Sequence, residues 1–240
     1  MDKDEILEKV KQWFRDVIAT NHIKNTQKLV NSNEFNINPF MAAYLANFLT
    51  GNSSPESIAR ALVYPRCLGT SITTSFGQNV QSLTSILLEA YGSTTNGIDI
   101  EFIDQIDNQK KFCQLKAGPN TINNDDVDTI VNHFGSATRL ARTNSVRVAV
   151  DDFVVGVLYG EPTDLSGHYK KITKKHNYPV FVGKDFWHRL TGDEDFYSDI
   201  LTAFASVAEE SDFSKELEDV IKVLAQDEKI ISISKKIQEK

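Results

Sequence analysis

Three stretches of this sequence predict an α/β protein whose mixed central sheet is flanked by helices. Residues 98–102 and 113–117 each alternate apolar and polar side chains, the period of two expected of half-buried strands, with Asp107-Asn108 as a turn between them. Phe153 to Tyr159 is nearly continuously apolar, as a strand buried on both faces requires. Apolar residues at helical spacing lie on both sides of these strands, so extra helices are expected at both termini.

The elements follow in order. Ile6, Val10, Trp13, Phe14, Val17 and Ile18 form the stripe of an amphipathic helix over residues 5–18. Asn38-Pro39 opens a helix that Gly51 ends, and Ser54-Pro55 caps the next. After Gly69 a helix runs to Ala90, and the loop 92–97 delivers the chain to the first hairpin strand. Asn123 or Asn124, followed by Asp125, Asp126 and Asp128, suits the N-terminus of a helix that continues to Arg142. Residues 169–173 and 179–182 read as short strands, Gly183-Lys184-Asp185 begins a helix, and 195–209 and 215–225 read as acidic amphipathic helices.

The chain has 240 residues, 40% of them hydrophobic and 25% charged, which is ordinary for a globular protein with a substantial core. No linker or repeat divides it. We expect one domain over 1–240, with an N-terminal helical part (1–70), an α/β core (71–190) and C-terminal helices (191–240). Cys67 and Cys113 fit no metal or redox spacing and read as buried thiols in a reducing compartment. The acidic start, Met1-Asp-Lys-Asp-Glu5, lacks an apolar signal core, and no apolar run is long enough to span a bilayer. A cytoplasmic protein without a membrane partner is expected. Phosphate-binding glycine loops, nucleophile elbows and zinc motifs are missing, which argues against a nucleotide cofactor.

The hairpin carries the chemistry. With a two-residue turn, Asp99 faces Lys116 and Glu101 faces Gln114, so one face gathers two carboxylates, an amide and an ammonium group. A hard cation such as magnesium takes such oxygen ligands, completed by water and phosphate, and a neighbouring lysine stabilises charge on a phosphoryl group. An exposed ion pair between Asp99 and Lys116 would use the same residues without chemistry.

The formal net charge of −7 speaks against nucleic acid, but the charges are segregated. Acids are missing from 57–88 and from 129–150, the latter carrying Arg139, Arg142 and Arg147. His168, Lys170, Lys171, Lys174 and Lys175 crowd one segment, while the acids concentrate between Asp193 and Asp219. Screening over about 8 Å means that a phosphate senses the local patch. The segregation is therefore compatible with DNA binding, with Arg139, Arg142, His168, Lys170, Lys171 and Lys174 as the candidate contacts, whereas charge runs are more often solvated faces. Asn120 and Thr121, in the polar loop directly after Lys116, are candidates for contact with a phosphate or a groove edge, or the loop serves as an ordinary cap for the next helix. His133 reads as a packing or surface residue.

The spacing of Asp99 and Gln114-Leu115-Lys116 resembles the PD-(D/E)xK nuclease superfamily. Five ordered blocks, Asn36-Ile-Asn-Pro-Phe-Met41, Ser75-Phe-Gly77, Leu115 to Ile122, Val154 to Gly160 and Gly183 to Trp187, resemble type II restriction endonucleases that cut GGNCC-containing sites. The resemblance implies a restriction-endonuclease-like fold and a Mg2+-dependent homodimer that hydrolyses double-stranded DNA. By that resemblance Asp99 binds metal, Gln114 and Glu101 complete or support the ligand set, and Lys116 orients the attacking water. Ile98 replaces the motif's proline, and Gln114 stands where the family usually has an acid. Glu89 or Gln81, on the preceding helix, is a further candidate ligand. A repair or junction nuclease of the same fold, or a DNA-binding protein silenced by Gln114, are the alternatives.

Overall fold

The computed structural model describes residues 3–210 and 213–238, apart from the side chains of 80, 81, 84, 85, 87–91 and 238. The chain divides into two compact units, one formed by Met1–Trp13 and Asn79–Ala205, the other by Phe14–Gln78 and Ser206–Lys240.

The first unit contains a four-stranded mixed sheet in the order β1-β2-β3-β4. Strand β1 (Ile100–Ile103) is antiparallel to β2 (Lys110–Lys116), whereas β3 (Phe153–Val157) and β4 (Val180–Val182) continue the sheet in parallel. Each parallel step needs a crossover. Helix α6 (Asn124–Thr143) connects β2 to β3, and helix α7 (Gly167–His176) connects β3 to β4. Two right-handed crossovers moving the same way along a sheet cover the same face. Accordingly Val127, Ile130 and Phe134 of α6 and Tyr169 and Ile172 of α7 share one core with Phe153, Val155 and Val157. On the other face Gly156 leaves room for the Phe186 ring of α8 (Lys184–Thr191), where a Cβ would collide.

Helix α6 starts where the acids predict: Asn123 and Asp126 form a reciprocal capping box, which satisfies two otherwise orphaned N–H groups. The segment 169–173, expected to be a strand, belongs instead to α7. Tyr169 and Ile172, one helical turn apart, are its buried residues, and tertiary burial of that stripe overrides a short β-like composition. The expected helix over residues 5–18 is helical throughout but changes winding within its span. Helix α1 spans Lys3–Trp13, and residues 14–19 continue as a wider π-helical turn.

The hairpin also departs from expectation, in register but not in face. Ile100 pairs with Cys113 and Glu101 with Phe112, so the connection runs from Asp104 to Gln109 instead of turning at two residues. Asp104 sets this longer loop: its carboxylate accepts the Ile106 N–H at 2.9 Å and pairs with Arg189 at 2.7 Å, while its carbonyl accepts the Asn108 N–H. Asn108 takes the left-handed conformation that lets the chain return. The change in register is an even number of residues, so the paired strand residues keep the face that their alternation predicts, whereas Ile98, just before β1, joins the core shared with α6 and α7 on the opposite face.

In the second unit, α2 (Thr20–Gln27), α3 (Pro39–Thr50), α4 (Pro55–Pro65), α10 (Ser214–Leu224) and α11 (Glu228–Gln238) surround Ala46, Ile58, Val63, Ile221, Leu224 and Ile230. Pro39 at the start of α3, the Asn38 cap and the left-handed Gly51 at its end follow the expected capping pattern. Helix α11 lies in the expected C-terminal helical part, with Ile230 and Ser234, one turn apart, pointing inward. Helices α5 (Ile72–Tyr91) and α9 (Phe196–Glu209) lie close to their expected bounds. No helix among the described residues is long and apolar enough to cross a membrane.

Candidate active site

Asp99 precedes β1 and leans along β2. Its N–H donates to the Cys113 carbonyl at 2.9 Å, and its carboxylate accepts the Leu115 N–H at 2.7 Å. That second bond holds the carboxylate between Gln114 and Lys116, at the end of β2 where the crossover begins. Burial pushes the Asp99 carboxyl above its ordinary value, while the Leu115 N–H and the Lys116 charge pull it down. Lys116 is half-buried; its carbonyl accepts the Leu158 N–H at 3.0 Å, and its ammonium makes no hydrogen bond or ion pair among the described residues.

Gln114 is buried, and its amide nitrogen donates both to the Gly97 carbonyl and to Nδ1 of His133, the latter at 2.6 Å. The assignment of nitrogen and oxygen follows from chemistry. A carbonyl only accepts, so the atom facing Gly97 must be the nitrogen. His133 then accepts through an unprotonated Nδ1 and carries its proton on Nε2. The amide oxygen is the atom left over for a cation. Gly97 makes the arrangement possible, because a Cβ there would overlap the His133 ring and its φ of +79° suits glycine.

Glu101 is differently placed. Its carboxylate pairs with Lys110 at 2.6 Å and accepts from the hydroxyls of Ser93 and Thr95 at 2.6 and 3.1 Å. Burial pushes its carboxyl up, but these partners outweigh that and hold it below the ordinary value. The side chains of Gln81 and Glu89 lie outside the described residues. Among the described residues no group of three His, Cys, Asp or Glu side chains could enclose a metal ion. Asp99 and the Gln114 oxygen are both hard donors. One or two such ligands with water and phosphate is a common way to hold magnesium, so this donor set fits the ion.

The loop after Lys116 is held from α7. Tyr169 donates its hydroxyl to the Gly118 carbonyl at 2.9 Å, and Thr121 donates to the same oxygen at 2.8 Å. Burial pushes the Tyr169 hydroxyl up to about 12, which keeps it a donor. Asn120 and Thr121 are both exposed, but the Thr121 hydroxyl is already engaged in the loop. His168, Lys170, Lys171 and Lys174 all lie on α7, where Lys170 and Lys174 are exposed one turn apart. Lys171 donates to Asn124 of α6 at 2.7 Å. Arg139 and Arg142 are exposed near the C-terminal end of α6, with Arg142 about 13 Å along the axis from His133.

The sequence reads His133 as a packing or surface residue and gives Gly97 no part in the site. A signal was present: His133 lies one turn after Ile130 and one turn before Ala137, on the flank of the inward stripe of α6.

A mixed sheet covered by crossover helices, with an acid, an amide and a lysine gathered where β2 ends, defines a restriction-endonuclease-like protein. The family model described as type II restriction endonuclease EcoO109I matches residues 8–212, and the chain belongs to that family. No curated protein matches the chain.

Proposed function

We propose that this chain is a Mg2+-dependent type II restriction endonuclease. It acts as a homodimer on double-stranded DNA at a short, GGNCC-like palindrome and leaves 5′-phosphates. The observation that carries this reading is the convergence of the Asp99 carboxylate, the Gln114 amide and the Lys116 ammonium within one short strand pair.

Asp99 and the Gln114 oxygen would hold the metal, which when bound supplies Lewis-acid stabilisation of a phosphoryl oxygen. Asp99 is kept in place by the Leu115 N–H. Lys116 orients the attacking water and stabilises the charge that builds as the water adds to phosphorus and the bond to the 3′-oxygen breaks. Lys170 and Lys174 on α7, with Arg139 and Arg142 on α6, position the phosphate backbone. A twofold dimer meets a twofold site and so reaches both strands.

Incubation with unmethylated phage DNA, with magnesium or with chelator, tests the reading alongside Lys116→Ala. Discrete fragments that require both magnesium and Lys116 are expected, and sequencing their ends gives the site. The commitment of Gln114 to Gly97 and His133 favours one other reading, a DNA-binding protein with weakened cleavage. Retarded but intact DNA across many templates would establish that reading instead.

A further inference from the structure

Helix α3 turns its small residues inward and its large ones outward. Ala42 and Ala46 are buried in the core of the second unit, whereas Phe40, Tyr44 and Phe48 are 82, 61 and 78% exposed. Met41, Leu45 and Leu49, each next to one of these in sequence, are exposed as well. Residues spaced by four share a helix face, so the six form one continuous strip. A surface helix ordinarily shows the reverse arrangement, with its large apolar residues against the core.

The strip is uncharged as well as apolar. No Asp, Glu, Lys, Arg or His stands between Glu34 and Glu56. Tyr44 and Phe48 stack on each other, with ring centroids 6.1 Å apart and planes inclined by 25°, while both remain largely exposed. The exposed apolar area is on the order of 600–700 Å² for the six side chains, close to the ~800 Å² that each partner contributes to a stable interface. A monomer left with a patch of this size in water would be prone to association.

We propose that this face of α3 is the contact between two copies of the chain, with α3 packed on its counterpart across a twofold axis. A twofold contact lays a surface on itself, so any charge near the axis meets its like. The strip from Phe40 to Leu49 holds none, and its area approaches what one side of a stable dimer needs. The inference rests on the homodimeric reading above and assigns the surface that makes the dimer.

The test is sedimentation velocity of the full chain across nanomolar to micromolar concentrations, with wild type compared to a Phe40→Glu/Phe48→Glu variant. Wild type is expected to be a dimer. The variant is expected to sediment as a monomer with unchanged circular dichroism, its dissociation constant raised at least about a hundredfold, since charge replaces two central aromatic contacts per copy. A monomeric wild type, or a variant that stays dimeric, overturns the proposal. A second measurement covers a variant that fails to fold: Tyr44→Cys treated with a short bismaleimide. Cys67 and Cys113 are buried, so the new thiol is the accessible one. A covalent dimer supports the contact, and a product that stays monomeric overturns it. Neither measurement reads cleavage. A dimer that cuts no DNA therefore sinks the nuclease reading alone, and a cutting enzyme that dimerises through another face sinks this one alone.

Discussion

The Gln114 amide nitrogen lies 2.6 Å from Nδ1 of His133, and this bond ties the end of β2 to the middle of α6. Because the nitrogen also faces the Gly97 carbonyl, the amide can sit only one way round, with its oxygen free for a cation. On the proposed function His133 would be a positioning residue, holding the amide that ligates the metal. Replacing it with Leu removes the acceptor and is expected to weaken divalent-metal binding about 10–100-fold, the usual cost of losing a group that orients a ligand. His133→Asn places an oxygen near the Nδ1 position and is expected to recover most of the loss. Mn2+ titration by calorimetry reads both, and equal weakening in the two variants would rule the role out.

Gln114→Glu, which installs the acid usual in the family, carries a structural cost here. A carboxylate cannot donate to Gly97, and it would place an oxygen against that carbonyl. We expect a loss of about 1–3 kcal/mol in stability without metal, together with tighter magnesium binding and partial recovery of stability on adding the ion. Urea unfolding with and without magnesium measures this. Unchanged metal-free stability would contradict the amide orientation.

Asp99 makes metal-free stability depend on pH. Its folded-state value is raised, chiefly by burial, so the folded protein holds the proton more tightly than the unfolded chain does. The corresponding stability is present below the usual carboxylate range and is lost as pH rises through the raised value. At neutral pH in chelator, Asp99→Asn is therefore expected to melt above wild type, with a difference that shrinks on acidification. Magnesium should raise the melting temperature of wild type but not of the variant. A difference that stays constant from acid to neutral pH would exclude this account.

Lys116→Ala removes an ammonium that no neighbour among the described residues engages by hydrogen bond or ion pair. The fold and DNA affinity should survive, with cleavage slowed about 10²–10³-fold, the typical loss of one transition-state electrostatic contact. Single-turnover cleavage rates and gel retardation, measured on the same preparation, separate the two effects.

The far end of the hairpin is held by Asp104, which is 0% exposed and paired with Arg189. Asp104→Ala leaves the guanidinium without that partner and opens the loop caps, at an expected cost of about 3 kcal/mol. Replacing both partners with apolar residues should recover part of it. Denaturant unfolding of the single and double variants tests this, and equal losses in both would show that the ion pair itself matters little.

The alternation of residues 98–102 and 113–117 was enough to place Asp99, Gln114 and Lys116 together, because a strand has a period of two and an even change of register leaves the faces intact. Apolar periodicity and capping residues likewise determined α3, α4, α6 and α8, since their signals lie within a few residues of one another. The tertiary structure decided the rest. It made residues 169–173 part of a helix by burying Tyr169 and Ile172, and it lengthened the hairpin loop by pairing Asp104 with Arg189, a residue distant in sequence. Only the packed fold brings His133 of α6 to Gln114 of β2, over a glycine that leaves space for the ring. Local chemistry sets periodicity and caps, whereas the orientation of a side chain in a site depends on neighbours that only packing supplies.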